Sequence, residues 1–139
     1  MRQRLLPLAS IVTPNVPEAE LLLGAAIANG EAAERATSGL RALGARAVLL
    51  KGGHLDEGAT VVDRYDDGTT RAAFEHARMR VDGHGTGCTL ASAITANLGL
   101  GLSLPEACAR ATDYVHGALL GGYKPGRSDI VVLDHFHQR

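Results

Sequence analysis

The stretch VDGHGTGCTLASAITANLGLG, residues 81–101, sets Gly83, Gly85 and Gly87 just ahead of Cys88 and then runs directly into an Ala-rich segment. That order predicts a strand-to-helix turn, with a helix over about 87–98 that is apolar or small on most faces and so covered on several sides. The glycines allow positive φ and close approach of a ligand to the backbone. The helix that follows offers unpaired N–H groups and the positive end of its dipole, which together suit an anion, most naturally a phosphate. No Lys-Ser/Thr pair follows the last glycine, so this is not a Walker loop. The spacing also departs from the dinucleotide fingerprint. Such a turn can equally be a tight structural connection. Cys88 adds chemistry, because a thiol at a helix start has its thiolate stabilised and can act as base, nucleophile or aldehyde trap. Its other reading is a small residue that fits. Cys108 lies on an apolar stripe and reads as inert packing.

Working outward, "SIVT" (10–13) predicts a short buried strand stopped by Pro14 and Asn15. Pro17 suits a first helical turn, and "EAELLLG" reads as a helix closed by Gly24. A second helix spans about 31–43, with Ala33, Ala36, Leu40 and Leu43 at helical spacing. "RAVLL" (46–50) predicts a buried strand leading into the loop Lys51-Gly52-Gly53. "ATVVDRY" and "TRAAFEH" flank Asp66-Asp67-Gly68 and predict a hairpin. "RMRV" (78–81) is a further strand into the glycine turn, and "DIVVLD" (129–134) a closing one. The helix over about 104–120 carries the stripe Ala107, Cys108, Ala111, Tyr114, Val115, Ala118 and Leu119. The fold class expected is therefore α/β, with a mainly parallel sheet flanked by helices and one antiparallel hairpin.

The 139 residues fit one domain or part of one, and a 45% hydrophobic share is enough for a core. A formal net charge of −1 argues against a nucleic-acid partner or an anionic membrane surface. No apolar run approaches a membrane span of about 18–20 residues. The opening "MRQRLLPLASIV" imitates a signal peptide only until Pro7, and the two cysteines have no zinc or redox spacing, so a reduced, cytoplasmic protein is expected. His54, Asp56 and Glu57 read as a polar loop, His135 and His137 as a solvated tail, and His84 is given no chemistry.

Three separated segments, "TPNVPEAELLLG", "AVLLKGGH" and "HGTGCTLASAITANLGLG", resemble the hydroxymethylpyrimidine/phosphomethylpyrimidine kinases of the ribokinase-like superfamily, in the family's order and approximate spacing. The resemblance covers nearly the whole chain but only the C-terminal half of the family, so residues 1–139 are expected to form a single partial domain. It implies that Gly85, Thr86, Gly87 and Cys88 match the anion hole. Cys88 stands where most of the superfamily has an aspartate base, whereas the pyrimidine kinases and some pyridoxal kinases have cysteine there. Asn15 and Glu18 match the motif that orders magnesium and phosphate, with Glu18 acting on Mg²⁺ through water. Lys51, Gly52 and Gly53 match a segment beside the nucleotide phosphates.

The implied activity is ATP- and Mg²⁺-dependent phosphorylation of 4-amino-5-hydroxymethyl-2-methylpyrimidine or its monophosphate in thiamine biosynthesis. A cysteine-type pyridoxal kinase and a catalytically incomplete phosphate-binding module are the alternatives. A cysteine hydrolase is disfavoured, since no base and orienting partner accompany the thiol. The half that the resemblance leaves out would carry the first strands, most pyrimidine contacts and part of a lid. Self-association, or pairing with an N-terminal half, is therefore expected at the strand edge left open.

Overall fold

The computed structural model describes residues 4–79 and 82–137, with only the backbone of Asp82 and His84. The chain forms two compact units, Met1–Arg78 and Met79–Arg139.

In the first unit, α1 (Val16–Leu23) starts at Asn15, carries Pro17 in its first turn and ends at Gly24, as its sequence predicts. Helix α2 (Gly30–Ala42) starts one residue early, because the Asn29 side chain accepts from the Ala32 N–H and caps it. The strand expected at 10–13 is instead a lane of isolated parallel pairings, Val12 beside Val48 and Asn15 beside Lys51. The strand expected at 46–50 shortens to β1 (Val48–Leu50). The hairpin forms as expected from β2 (Thr60–Asp66) and β3 (Arg71–Ala77), and β2 also pairs antiparallel with β1, giving the order β1-β2-β3. Val16, Ala19, Ala33, Ala36, Leu40, Val48, Leu50 and Leu55 make the core beneath them. Each large aliphatic side chain buried there contributes about 1.5–3 kcal/mol.

Two contacts made by β2 shape this unit. Asp66 is 1% exposed and closes the hairpin by accepting from the Gly68 N–H at 2.7 Å. The same carboxylate meets Arg71 Nε at 3.3 Å, Arg41 Nη1 at 3.7 Å and the Ser38 hydroxyl at 3.3 Å, which fastens the hairpin to α2. Its neighbour Asp67 accepts from the Thr70 and Thr69 N–H groups, which hold its carboxyl well below the usual range. At the other end, β2 passes so close to Gly52 that an added Cβ would overlap the Val62 carbonyl. The Gly52 N–H donates to Asp63 Oδ1 at 2.8 Å, and the Leu55 N–H donates to the Gly52 carbonyl at 2.9 Å.

In the second unit, β4 (Asp82–His84) pairs in parallel with β5 (Ile130–Val132), and α3 (Thr86–Gly99) and α4 (Leu104–Leu120) connect them. The strand expected at 78–81 is displaced: Arg78 and Met79 are not in a strand, and residues 80 and 81 lie outside the described residues. The closing strand is likewise shorter than 129–134. The stripe on α4 is buried at Ala107, Cys108, Ala111 and Ala118, with Thr112 added, while Tyr114, Val115 and Leu119 are half-buried. The expectation that α3 is covered on several sides does not hold. Only Leu90 and Ile94 are buried among its described residues, and Ala91, Ser92, Thr95 and Ala96 are exposed. Gly83 lies against α4, since a Cβ there would stand 2.7 Å from Leu119 Cδ1. No helix among the described residues is long and apolar enough to cross a membrane.

Two stability outcomes follow from the β2 contacts. Asp66→Ala is expected to cost about 2 kcal/mol, the loss of hydrogen bonds to a buried charge, read from urea denaturation. Gly52→Ala is expected to cost about 1–3 kcal/mol because the Val62 carbonyl must move. By contrast, Gly53→Ala, which meets nothing within 4 Å, should stay within about 0.5 kcal/mol in the same titration.

Candidate functional site

The first unit brings three of the sequence-derived residues to one end of its sheet. Asn15 stands beside Lys51 across the parallel bridge, and the Lys51 N–H donates to the Pro14 carbonyl at 3.0 Å. Glu18 and Asn15 form a reciprocal capping box: the Glu18 N–H donates to Asn15 Oδ1 at 2.8 Å, and the Asn15 N–H to Glu18 Oε2 at 2.8 Å. The local reason is the sequence Asn-x-x-Glu at a helix start, which satisfies two orphan amides at once. Glu18 Oε1 makes no bond among the described residues, and the side chain borders a cleft of about 820 Å³ floored by Leu6, Val12, Pro14 and Leu22. Lys51 is half-buried. Immediately after it, the Gly52 amide is committed to Asp63, whereas Gly53 has an open face. The Asp63 carboxyl is raised above its ordinary value by burial, opposed first by the Gly52 N–H and then by the charges of His76, Lys51 and Arg64.

The donor set can be tested against magnesium. One carboxylate with a single uncommitted oxygen cannot build a cage of protein ligands, and no group of three or more His, Cys, Asp or Glu occurs among the described residues. It does fit an ion that keeps its waters and takes its remaining ligands from substrate phosphates, as Mg²⁺ usually does.

The second unit holds the glycine turn. Gly85 takes φ +85° and ψ 0°, a left-handed conformation that suits glycine, and it has nothing within 4 Å of where a Cβ would stand. The first bond of α3 runs from the Thr89 N–H to the Gly85 carbonyl at 2.9 Å. The amides of Thr86, Gly87 and Cys88 therefore precede any acceptor within the helix. With the dipole of a fourteen-residue helix behind them, they carry the partial positive charge of a helix start.

Cys88 is exposed and begins a cleft of about 810 Å³ that passes Ser92 and Ala96 on α3 and reaches Arg110 and Tyr114 on α4, with His135 at its far side. His135 is thus not a simple solvated tail residue: Tyr114 Oη donates to its carbonyl at 3.0 Å and lies 3.4 Å from its Nδ1. Sequence reasoning missed Arg110, Asp113 and Tyr114 as cleft residues. Their spacing along one edge of the α4 stripe was the available signal. Cys108 is buried, and burial pushes its thiol up to about 12, in keeping with an inert packing role.

Comparison with known proteins supplies the family and the fold. The phosphomethylpyrimidine kinase family model matches residues 1–132. A hydroxymethylpyrimidine/phosphomethylpyrimidine kinase of Rhizobium meliloti is 42% identical over 142 residues, covering 98% of this chain and 52% of that protein. A thiamine biosynthesis bifunctional protein of Geobacter sulfurreducens is 49% identical over 120 residues, covering 86% of this chain and 24% of its own length. Among solved structures, the pyridoxal kinase from Staphylococcus aureus in complex with AMP-PCP matches with a TM-score of 0.91 at 34% identity, over 99% of this chain and 51% of that one. The chain spans about half the length of the curated kinases it matches. Its fold is the ribokinase-like α/β fold, and the chain belongs to the phosphomethylpyrimidine kinase family.

Proposed function

We propose that this chain carries the phosphate-handling part of an ATP-dependent kinase that acts on the hydroxymethyl group of 4-amino-5-hydroxymethyl-2-methylpyrimidine, or on its monophosphate, in thiamine biosynthesis. The observation that carries the reading is the open start of α3, where three amides precede the first helical bond beside an exposed thiol. Phosphoryl transfer asks the protein mainly to position groups and neutralise charge, and amides at a helix start supply both.

In this reading the Gly85-Thr86-Gly87-Cys88 amides receive the equatorial oxygens of the transferring phosphoryl group. The Cys88 sulfur orients the acceptor hydroxyl or takes its proton as the bond to phosphorus forms and the bond to the ADP oxygen breaks. Lys51, with Gly53 exposed and Gly52 anchoring it, faces the nucleotide phosphates. Asn15 and Glu18 order water around Mg²⁺, and the capping box holds that carboxylate in one orientation. When bound, the ion neutralises charge on the phosphates.

Two observations support further readings. The similarity to a pyridoxal kinase keeps pyridoxal as a second acceptor. The half-length of the chain relative to its kinases supports a nucleotide-binding module that turns nothing over alone. The lane at Val12–Asn15 bridges β1, and Leu5, Leu8 and Leu21 are exposed near the Leu6–Leu22 cleft. In this proposal the chain is a single partial domain, and that apolar face pairs with an N-terminal half or with a second copy. Both cysteines are free thiols, as suits the cytoplasm.

ADP release from ATP, measured with the pyrimidine, with pyridoxal and with neither, tests the assignment. Acceptor-dependent release with the pyrimidine is expected. AMP-PCP binding with no turnover on either acceptor would mark the binding module instead. Where turnover is present, Cys88→Ala should lower kcat about 100-fold or more while leaving AMP-PCP affinity unchanged. Maleimide should label one thiol in the folded chain and two in denaturant, since Cys108 is buried.

A further inference from the structure

The loop that leaves β1 runs from Lys51 to Ala59 and has little regular structure, yet its carbonyls turn toward one side chain. Arg78, the residue after β3, donates from Nη1 to the Gly53 carbonyl at 3.0 Å and from Nε to the Gly58 carbonyl at 3.0 Å. Its Nη2 donates to the Leu55 carbonyl at 2.5 Å and to the Thr60 carbonyl at 3.3 Å. The Arg78 backbone N–H adds a bond to the Ala59 carbonyl at 2.8 Å. Four carbonyl dipoles aimed at one point repel one another unless a cation stands there. A guanidinium alone among side chains presents five donors in a rigid plane, which is what four acceptors on different sides require.

We infer that Arg78 is a positioning residue for nucleotide binding, acting through the backbone of Gly53. The inference rests on the reading above that Lys51 and Gly53 face the nucleotide phosphates. Lys51 is fixed on its N-terminal side by the Pro14 carbonyl, and Gly52 is fixed by Asp63 and Leu55. Gly53 comes next, has open space around it, and has its carbonyl held by Arg78. With the guanidinium removed, the peptide between Gly53 and His54 can rotate, and the face it offers to an anion is no longer set in advance. Arg78 touches neither phosphate nor acceptor in this scheme.

The test measures AMP-PCP affinity of the chain by calorimetry for wild type, Lys51→Ala, Arg78→Ala, Arg78→Lys and Asp66→Ala. Asp66 lies at the opposite end of β2 from Thr60, so Asp66→Ala serves as a destabilised control that leaves the loop clamp in place. Arg78→Ala is expected to weaken AMP-PCP about tenfold, the scale of a lost charged hydrogen bond. Arg78→Lys should recover part of that affinity, and Asp66→Ala should bind as wild type does. The double variant Lys51→Ala/Arg78→Ala should lose less than the sum of the two single losses, since both act on one segment. Wild-type affinity in Arg78→Ala, or a loss no larger than in Asp66→Ala, with Lys51→Ala still defective, overturns the role of Arg78 alone. Equal affinity of wild type and Lys51→Ala, or no binding by wild type, overturns the nucleotide reading of the loop and the inference with it. If circular dichroism shows Arg78→Ala unfolded, the same comparison is made with Arg78→Lys, whose ammonium cannot span four carbonyls. Wild-type affinity there overturns the inference.

Discussion

Antiparallel pairing of β2 against β1 is the constraint from which most of the first unit follows. The register sets Leu50 opposite Arg64 and Val48 opposite Asp66. It therefore delivers Asp63 to the Gly52 amide at one end and Asp66 to α2 and the hairpin turn at the other. A slip of one residue would exchange the faces of β2, putting Asp63 and Arg64 in each other's places. The buried Asp66 and the half-buried Asp63 make such a slip costly, because each would lose the donors that compensate its desolvation. The geometry of the loop after β1 is thus a consequence of strand register together with the glycine at position 52 that lets β2 approach.

The capping box at the start of α1 is compatible with the chemical role proposed for the same two residues. Asn15 and Glu18 satisfy each other's amides at the start of α1. An ordinary surface glutamate samples many rotamers, whereas one whose Oε2 is fastened to a backbone N–H presents its other oxygen in a fixed direction. That is useful wherever a carboxylate must order water instead of gripping an ion. The capping role of these two residues and the role proposed for them are therefore compatible in one arrangement.

The helices of this chain were legible because their ends are written locally: Asn15 with Pro17 and Gly24, and Ser103 with Pro105 and Glu106, whose carboxylate accepts from the Ser103 N–H. The hairpin was legible from Asp66-Asp67-Gly68 for the same reason. Strands were harder. Val12–Asn15 and Val48–Leu50 are short, and their limits depend on which carbonyls a neighbouring lane supplies, something no single segment contains. The exposure of α3 was missed because Ala and Ser suit a buried helix and a bare one alike. At the site, Cys88 and Gly85 stood out by residue type and spacing. Asp63 and Arg78 did not, since each side chain binds main chain eleven to twenty-five residues away. A side chain that recognises main chain leaves no partner residue to read.

The choice of arginine for the clamp also decides how the loop responds to its surroundings. A fork of guanidinium N–H groups depends on no matching side chain for its hold on Gly53, Leu55, Gly58 and Thr60. Nor does the hold need a counter-charge, because every acceptor is a neutral carbonyl. Salt that screens the ion pair of Arg71 with Asp66 has correspondingly little purchase on it. What can compete is another planar cation of the same shape. Guanidinium ions in solution offer those carbonyls the very group they already bind, and so compete for this corner of the molecule directly.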